Sequence, residues 1–325
     1  MAYDLKGKRV YVAGHRGMVG SALLRRLKRE GCPLLTTDRT LDLREQAAVR
    51  EWFAMARPEV VILAAAKVGG ILANRDAPAL FLHDNLMIAA NVIEAARVSG
   101  VEKLLFLGSS CIYPRDTAQP IGEEALLSGP LESTNEAYAI AKIAGVKLCQ
   151  SYRRQYGCDF ISAMPCNLYG PGDNFDALTA HVLPALIRKA VEARDSGAPA
   201  IHLWGSGTPR REFCHVDDCT DGLVFILRHY SGDAPINLGP GKDIAISDLA
   251  QMICAEVGFT GPIEWDRSMP DGTMRKVMDC SRLHSLGWQP RISLSEGIAA
   301  TCQWFQENYR EPDQIRHAVD IFVKA

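Results

Sequence analysis

Two residues with complementary acid–base chemistry, Tyr138 and Lys142, stand four positions apart in this sequence. On a helix that spacing places a phenol and an ammonium on one face, about one turn apart. A free tyrosine has a pKa of about 10, which is too high for ready proton exchange at neutral pH. We expect the lysine cation to lower that pKa, so that Tyr138 can give a proton to a carbonyl that receives a hydride. The same spacing also arises by chance on helix surfaces.

A hydroxyl upstream of this pair strengthens the interpretation. The apolar run 104–107 predicts a buried strand, and Gly108, Ser109, Ser110 and Cys111 follow it directly. Ligands of doubly wound sheets bind at the carboxyl ends of the strands. Ser109 can therefore hold a substrate oxygen against Tyr138, as hydride transfer to a carbonyl requires.

A glycine-rich segment between the first predicted strand and the first predicted helix is a candidate phosphate loop. It consists of Gly14, His15, Arg16, Gly17, Met18, Val19 and Gly20. Glycines let the backbone turn sharply against a pyrophosphate, and the helix N-terminus supplies N–H donors. At the cofactor's 2′ position Asp38 favours a free hydroxyl and Arg39 a phosphate. Because Arg16 adds a second cation, we expect NADP(H) rather than NAD.

Strand-like and helical segments alternate over the first half of the chain. The pattern predicts strands at 8–13, 60–65, 103–108 and 159–165, with helices at 18–30, 79–99 and 137–156. Continuously apolar strands indicate a parallel sheet covered on both faces. We expect an α/β, doubly wound Rossmann domain over residues 1–170. Residues 171–325 should form mainly a smaller α/β substrate-binding region, while segments after 214, such as a helix at 219–227, return to the first domain.

Composition excludes several classes of protein. The 325 residues include 36 basic and 38 acidic side chains, with a net charge of -2 and no long basic run, so a nucleic-acid partner is not expected. No apolar stretch is long enough to cross a bilayer, and the N-terminus has no signal-like apolar region. The ten cysteines form no C-x-x-C pair, which favours reduced thiols in a cytoplasmic protein over disulfides or a zinc site.

Taken together, these motifs resemble the extended short-chain dehydrogenase/reductase family, whose working triad is serine, tyrosine and lysine at these places. The resemblance narrows to members acting on nucleotide-sugars, and among them to the 3,5-epimerase/4-reductases of GDP-4-keto-6-deoxy-D-mannose. It covers nearly the whole chain, through 14–20, 64–70, 107–114, 138–145, 165–171 and 204–218. It implies a GDP-sugar substrate, epimerisation at C3 and C5, NADPH-dependent reduction at C4, and a homodimer joined by the helices at 79–99 and 137–156.

The resemblance also implies roles for individual residues. Ser109, Tyr138 and Lys142 would be the reductase residues, and Cys111 and His181 would serve epimerisation. Lys142, His181 and the glycine loop would contact the cofactor, together with Arg39, Ala65, Leu107, Gly108, Pro165, Asn167 and Leu168. The GDP-sugar would contact Lys189, Trp204, Arg211 and Asp279.

The chemistry of a ketone agrees with two different acid–base residues. A C4 ketone acidifies the hydrogens on C3 and C5, so a base can form an enolate and another acid can return the proton on the opposite face. Cysteine and histidine, with reference pKa values of about 8.5 and 6.5, suit these tasks. Simpler interpretations exist: Cys111 or Trp204 as core residues, His181 as a helix-start residue, and Lys189 as a solvated charge.

Two alternatives remain open. A related nucleotide-sugar 4-epimerase or reductase would share most of these motifs. Dehydratases of this fold typically carry an acidic residue in the segment 108–114, where this chain has none. A catalytically idle nucleotide-binding Rossmann protein would keep the glycine loop but has no need of Tyr138 and Lys142.

Overall fold

Strands and helices alternate through the part of the chain that the computed structural model describes, residues 2–37, 40–177, 179–269 and 271–308. The strands are β1 (Val10–Ala13), β2 (Leu34–Leu35), β3 (Val60–Leu63), β4 (Lys103–Leu107), β5 (Asp159–Pro165), β6 (Asn167–Tyr169), β7 (Ile201–Trp204), β8 (Arg210–His215), β9 (Ile236–Leu238), β10 (Asp243–Ala245), β11 (Ile263–Asp266) and β12 (Arg275–Lys276). The helices are α1 (Met18–Leu27), α2 (Gln46–Ala56), α3 (Ile71–Asp76), α4 (Pro78–Val98), α5 (Glu136–Tyr156), α6 (Val182–Ser196), α7 (Val216–His229), α8 (Ile246–Val257), α9 (Ser281–Ser285) and α10 (Leu294–Asn308).

A six-stranded sheet with the order β2-β1-β3-β4-β5-β9 is the centre of the fold, and all its pairings are parallel. Every residue of β1, β3 and β4 is buried, and apart from Lys103 at the start of β4 all of them are apolar. The strand order reverses between β1 and β3. A crevice for a ligand therefore opens at the carboxyl ends of these two strands.

Helices cover this sheet in two groups. One group packs α2, α4 and α5 side by side, and the other packs α1 against α7. An ion pair between Arg26 and Asp221, with 2.7 Å between Nε and Oδ1, joins α1 to α7. Through α7 and β9, the segment after residue 214 lies against the first half of the chain.

A second hydrophobic core lies among α6, α8 and α10 and contains Tyr169, Phe175, Leu249 and Phe305. Next to it, β8 pairs with β6, β10 and β12, and β7 pairs with β11. These short strands contain more polar residues than β1 and β3 of the large sheet. They are connected to the carboxyl end of that sheet through β6, which follows β5 after one residue.

The α/β, doubly wound fold predicted from the sequence is confirmed, with small differences at the ends of elements. The predicted strand 159–165 is β5 without change, and the helix at 137–156 begins one residue earlier. The first helix ends at Leu27 and continues as a 3-10 turn over Lys28–Glu30. Within the described residues, no helix is both long and apolar enough to cross a membrane.

Candidate active site

The carboxyl end of β4 brings Ser109 and Cys111 to the mouth of the crevice. Ser109 has extended backbone angles and caps a 3-10 turn over Ser110–Ile112, where its Oγ accepts a hydrogen bond from the Cys111 amide at 3.2 Å. Both side chains are half-buried, whereas Ser110 and Ile112 between and beyond them are buried. The turn thus points alternate side chains outwards, and the interpretation of Cys111 as a fully buried core residue is wrong.

Helix α5 places Tyr138 and Lys142 against this turn. The side chains of Ser109 and Cys111 both lie close enough to the Tyr138 hydroxyl to shift its pKa. Lys142 is only 4% exposed, and its Nζ donates a hydrogen bond of 2.8 Å to the carbonyl oxygen of Leu107, the last residue of β4. The serine, the cysteine and the tyrosine are therefore neighbours, and the lysine lies directly beneath them.

The pKa of Tyr138 beside Lys142 is shifted in the direction opposite to the one expected from the sequence. Burial raises the pKa of Tyr138 above its usual value, the charge of Cys111 raises it further, and the nearby Ser109 hydroxyl opposes this rise. The expectation that Lys142 lowers the Tyr138 pKa is wrong, because the ammonium bonds the Leu107 carbonyl and lies 5.7 Å from the centre of the tyrosine ring. At neutral pH Tyr138 is consequently a protonated phenol, which is the form that donates a proton.

Asn135 is a residue of this cluster that the sequence-based analysis missed. Its Nδ2 donates a hydrogen bond to the Cys111 Sγ at 3.3 Å. Asparagine directly before a helix is typical of an N-cap, so the sequence pattern alone indicates a helix cap and no other role. Nothing in the sequence spacing indicates the contact, because 24 residues separate Asn135 from Cys111.

The glycine loop lies between β1 and α1, at the crevice. Gly14 has a φ of 86°, and a Cβ there would approach the Ala65 backbone to 2.7 Å. A Cβ on Gly20 would lie 2.0 Å from the Gly14 carbonyl oxygen. The first turn of α1 has no acidic residue, and no side chain caps Gly17, so the backbone N–H groups at this end are available to an anion. The loop therefore fits a pyrophosphate.

The remaining cofactor candidates line the carboxyl ends of the central strands. Ala65 contacts the glycine loop. Leu107 and Pro165 are the last residues of β4 and β5. Gly108 is so closely packed that a Cβ there would lie 2.3 Å from the Met164 sulfur.

Two further candidates, Asn167 and Leu168, lie in β6, where Asn167 Nδ2 donates a hydrogen bond to the Glu212 carbonyl at 2.8 Å. Arg39 lies outside the described residues.

His181 stands directly before α6, as an N-cap residue whose side chain makes no capping bond. Part of the residue is exposed to solvent, but the surrounding protein desolvates the imidazole and lowers its pKa. The segment before it is held by Gly70, whose amide donates to the Thr179 carbonyl at 3.1 Å. The 64–70 loop thus positions the His181 segment. Among the contacts between described residues, none joins His181 directly to Cys111 or Tyr138.

The four predicted GDP-sugar residues occupy different surroundings. Arg211 on β8 lies near Cys111. Burial lowers the pKa of Arg211, and the charge of Cys111 opposes this shift.

Trp204 is 60% exposed at the end of β7, so it is not a core residue. Lys189 lies beside the same strand, with its Nζ 3.2 Å from the His202 carbonyl. The Asp279 carboxylate accepts a bond of 2.8 Å from the Ser281 amide, and no contact between described residues joins it to the cluster.

The buried Lys142 makes a testable prediction for stability. Burial lowers its pKa from 10.5 to about 8, so between these pH values the unfolded chain binds a proton that the folded chain has lost. Stability must then rise with pH across this window. We expect the free energy of unfolding of the wild type to gain about 2–3 kcal/mol over Lys142→Met between pH 7 and pH 10, at 1.36 kcal/mol per pKa unit.

Chemical denaturation at the two pH values measures this difference. Lys147→Met, at a partly exposed position of the same helix, is the matched control and should follow the wild type at both. Parallel pH profiles for wild type and Lys142→Met would contradict the burial of a charge at this position.

Known proteins share this architecture along nearly the whole chain. The model of the NAD dependent epimerase/dehydratase family matches residues 10–239. The GDP-L-fucose synthase of Sinorhizobium fredii is 57% identical, over 94% of this chain and 98% of that protein. A GDP-L-fucose synthetase from Naegleria fowleri, solved bound to NADP, has a TM-score of 0.87 and 30% identity over 95% of this chain and 99% of its own.

A reductase also appears among the solved relatives. The GDP-6-OMe-4-keto-L-xylo-heptose reductase from C. jejuni has a TM-score of 0.88 and 35% identity, over 94% of this chain and 99% of its own. At the same coverage of this chain, the identity to the Sinorhizobium fredii protein (57%) exceeds the identity to this reductase (35%). The chain belongs to the NAD dependent epimerase/dehydratase family and, within it, to the family of the GDP-L-fucose synthases.

Proposed function

We propose that this chain is an NADP-dependent GDP-L-fucose synthase, which converts GDP-4-keto-6-deoxy-D-mannose into GDP-L-fucose. The observation that carries the proposal is the cluster of Ser109, Tyr138 and Cys111 at one end of β4 and α5. A single ketone placed there meets a proton donor for reduction and a thiol for epimerisation. The identity to the Sinorhizobium fredii enzyme supports the same substrate.

Epimerisation is the first of the two reactions that the cluster supports. A base removes a hydrogen next to the C4 ketone, the electron pair moves into the enolate oxygen, and a proton returns on the opposite face. Ser109 and Tyr138 donate hydrogen bonds to that oxygen and stabilise its charge. Cys111 and His181 are the proposed base and acid, because a thiol and an imidazole both exchange protons near neutral pH.

Reduction uses the same ketone. The glycine loop would hold NADPH, which would supply the hydride for C4. Tyr138, which is protonated at neutral pH, gives its proton to the C4 oxygen. Lys142 contributes a cation below the tyrosine ring and fixes α5 to the end of β4. The Arg16 side chain on the loop supports NADPH over NADH, since a guanidinium suits a 2′-phosphate.

The GDP portion is assigned to the second region of the chain. Arg211 and Lys189 provide cations for a diphosphate, and the exposed Trp204 provides an apolar face for a base or sugar. Asp279 is the least supported of the four, because its carboxylate already bonds the Ser281 amide. The two hydrophobic cores support a division near residue 170 into a dinucleotide-binding and a substrate-binding region.

The state of the cysteines and the net charge support the proposed compartment and partners. All ten cysteines are free thiols, which supports a reducing compartment, the cytoplasm. The net charge of -2 gives no support for a nucleic-acid partner.

Steady-state kinetics test the proposed function directly. With GDP-4-keto-6-deoxy-D-mannose and NADPH, the wild type should consume NADPH and form GDP-L-fucose. Tyr138→Phe removes the proton donor and should lower turnover by about 10²–10⁴-fold. The control Tyr156→Phe changes a tyrosine that is 50% exposed on the same helix and should turn over normally. Absence of NADPH consumption by the wild type, or full activity of Tyr138→Phe, would refute the proposal.

A homodimer is proposed through α4 and α5, which pack side by side and leave apolar side chains on the surface. Leu86 is 37% exposed on α4 and Ile140 is 43% exposed on α5. Two copies related by a twofold axis would cover both patches at once. Sedimentation velocity should give twice the 35.6 kDa chain mass, and Ile140→Glu should shift the population to monomer. A wild-type monomer at all concentrations would exclude this dimer.

A further inference from the structure

Asn135 occupies the N-cap position of α5 but does not act as a cap. An asparagine there ordinarily accepts a hydrogen bond from a backbone N–H in the first turn. Here the side chain makes no capping bond, and its Nδ2 donates instead to the Cys111 sulfur at 3.3 Å. Its Oδ1 is buried and has no hydrogen-bond partner in the described structure.

This orientation is unfavourable for stability on two counts. The helix loses a capping bond, and a buried amide oxygen remains unpaired. Rotation of the amide towards the helix would form the capping bond but would break the contact with Cys111. Helix formation alone therefore does not explain the position of the side chain, and the contact with the sulfur requires a separate reason.

The chemistry of the sulfur supplies that reason. An N–H donor stabilises a sulfur that carries negative charge, because a hydrogen bond to an ionised acceptor is stronger than one to a neutral group. The thiolate is the basic form of cysteine. When the thiolate removes a proton from the carbon next to the ketone, an S–H bond forms and the C–H bond breaks. The electron pair of that C–H bond moves towards the ketone oxygen beside Ser109 and Tyr138, which becomes the enolate oxygen.

We propose that Asn135 is a positioning residue for epimerisation, whose amide N–H directs the Cys111 sulfur towards the substrate. The inference rests on the proposed function, in which Cys111 exchanges protons at C3 or C5. Tyr138 on α5 and Arg211 on β8 are titratable or charged groups that lie near Cys111 on neighbouring elements. Asn135 is the neutral donor in this group, and it does not react itself.

Isotope exchange distinguishes positioning from general support of the fold. In D₂O, Asn135→Asp keeps the shape of the side chain but replaces the donor with a carboxylate oxygen. We expect deuterium incorporation at C3 and C5 to fall at least tenfold and NADPH oxidation to fall less than threefold. The C4-reduced but unepimerised sugar should then accumulate, as it should for Cys111→Ser.

Thr134→Val is the matched control for this experiment. Thr134 lies in the same turn, and its hydroxyl bonds Glu132 rather than the cysteine. The control should retain both exchange and reduction at the wild-type ratio. Equal losses of exchange and reduction in Asn135→Asp would show a structural role only and overturn the proposal.

Alkylation provides a second measurement that needs no substrate. Iodoacetamide labelling, resolved by mass spectrometry, should modify Cys111 about fivefold more slowly in Asn135→Asp than in wild type or Thr134→Val. Cys32 and Cys158, the other half-buried thiols, should react at unchanged rates. An unchanged Cys111 rate would overturn the proposal.

Inactivity of the wild type towards the GDP-sugar would refute the proposed function instead. The labelling would still report on the contact between Asn135 and Cys111.

The same labelling controls for unfolding. If Asn135→Asp exposes the seven buried cysteines to the reagent, Asn135→Ala replaces it, since this variant removes the donor without adding a charge. The expected and contradicting results are the same: slower Cys111 labelling with selective loss of exchange supports the inference, and unchanged labelling or parallel losses overturn it.

Discussion

The contact between the end of β4 and the first turns of α5 holds Ser109, Cys111 and Tyr138 of the candidate site together. Lys142 donates across it to the Leu107 carbonyl at 2.8 Å, and Asn135 donates across it to Cys111 at 3.3 Å. The two elements approach so closely that a Cβ on Gly145 would lie 2.3 Å from the Phe106 ring. Such close packing restricts the movement of the side chains between the two elements.

Burial at this contact determines the protonation of the site. Desolvation acts in opposite directions on the two residues, raising the pKa of Tyr138 and lowering that of Lys142 to about 8. Both shifts favour the neutral forms. Tyr138 therefore keeps its proton, which a ketone that receives a hydride needs. The cost of the same burial is a lysine whose charged form is less favourable.

Much of this arrangement could be predicted from the sequence, because it depends on periodicity and order along the chain. The strands β1 and β3 are apolar runs of strand length, β4 and β5 are mainly apolar, and the position of Ser109 after β4 follows from the sheet. The glycine loop is recognisable because it joins a strand to a helix.

The rest depends on contacts between distant segments. Asn135 has the sequence of an N-cap, and only the packing of α5 on the 110–112 turn directs it to Cys111 instead. The direction of the Tyr138 pKa shift was predicted wrongly, because spacing shows that a lysine is near but not which atom it bonds. Arg211 likewise reaches Cys111 through the pairing of β6 with β8, which no local pattern reveals.

The central claim is that one ketone-binding site performs epimerisation and reduction in sequence. The most direct measurement is the isotope pattern of GDP-L-fucose formed by the wild type in D₂O from GDP-4-keto-6-deoxy-D-mannose and unlabelled NADPH. Nuclear magnetic resonance should show deuterium at C3 and C5, introduced from solvent through the enolate, and protium at C4, delivered as hydride. Protium at C3 or C5, or deuterium at C4, would contradict the claim.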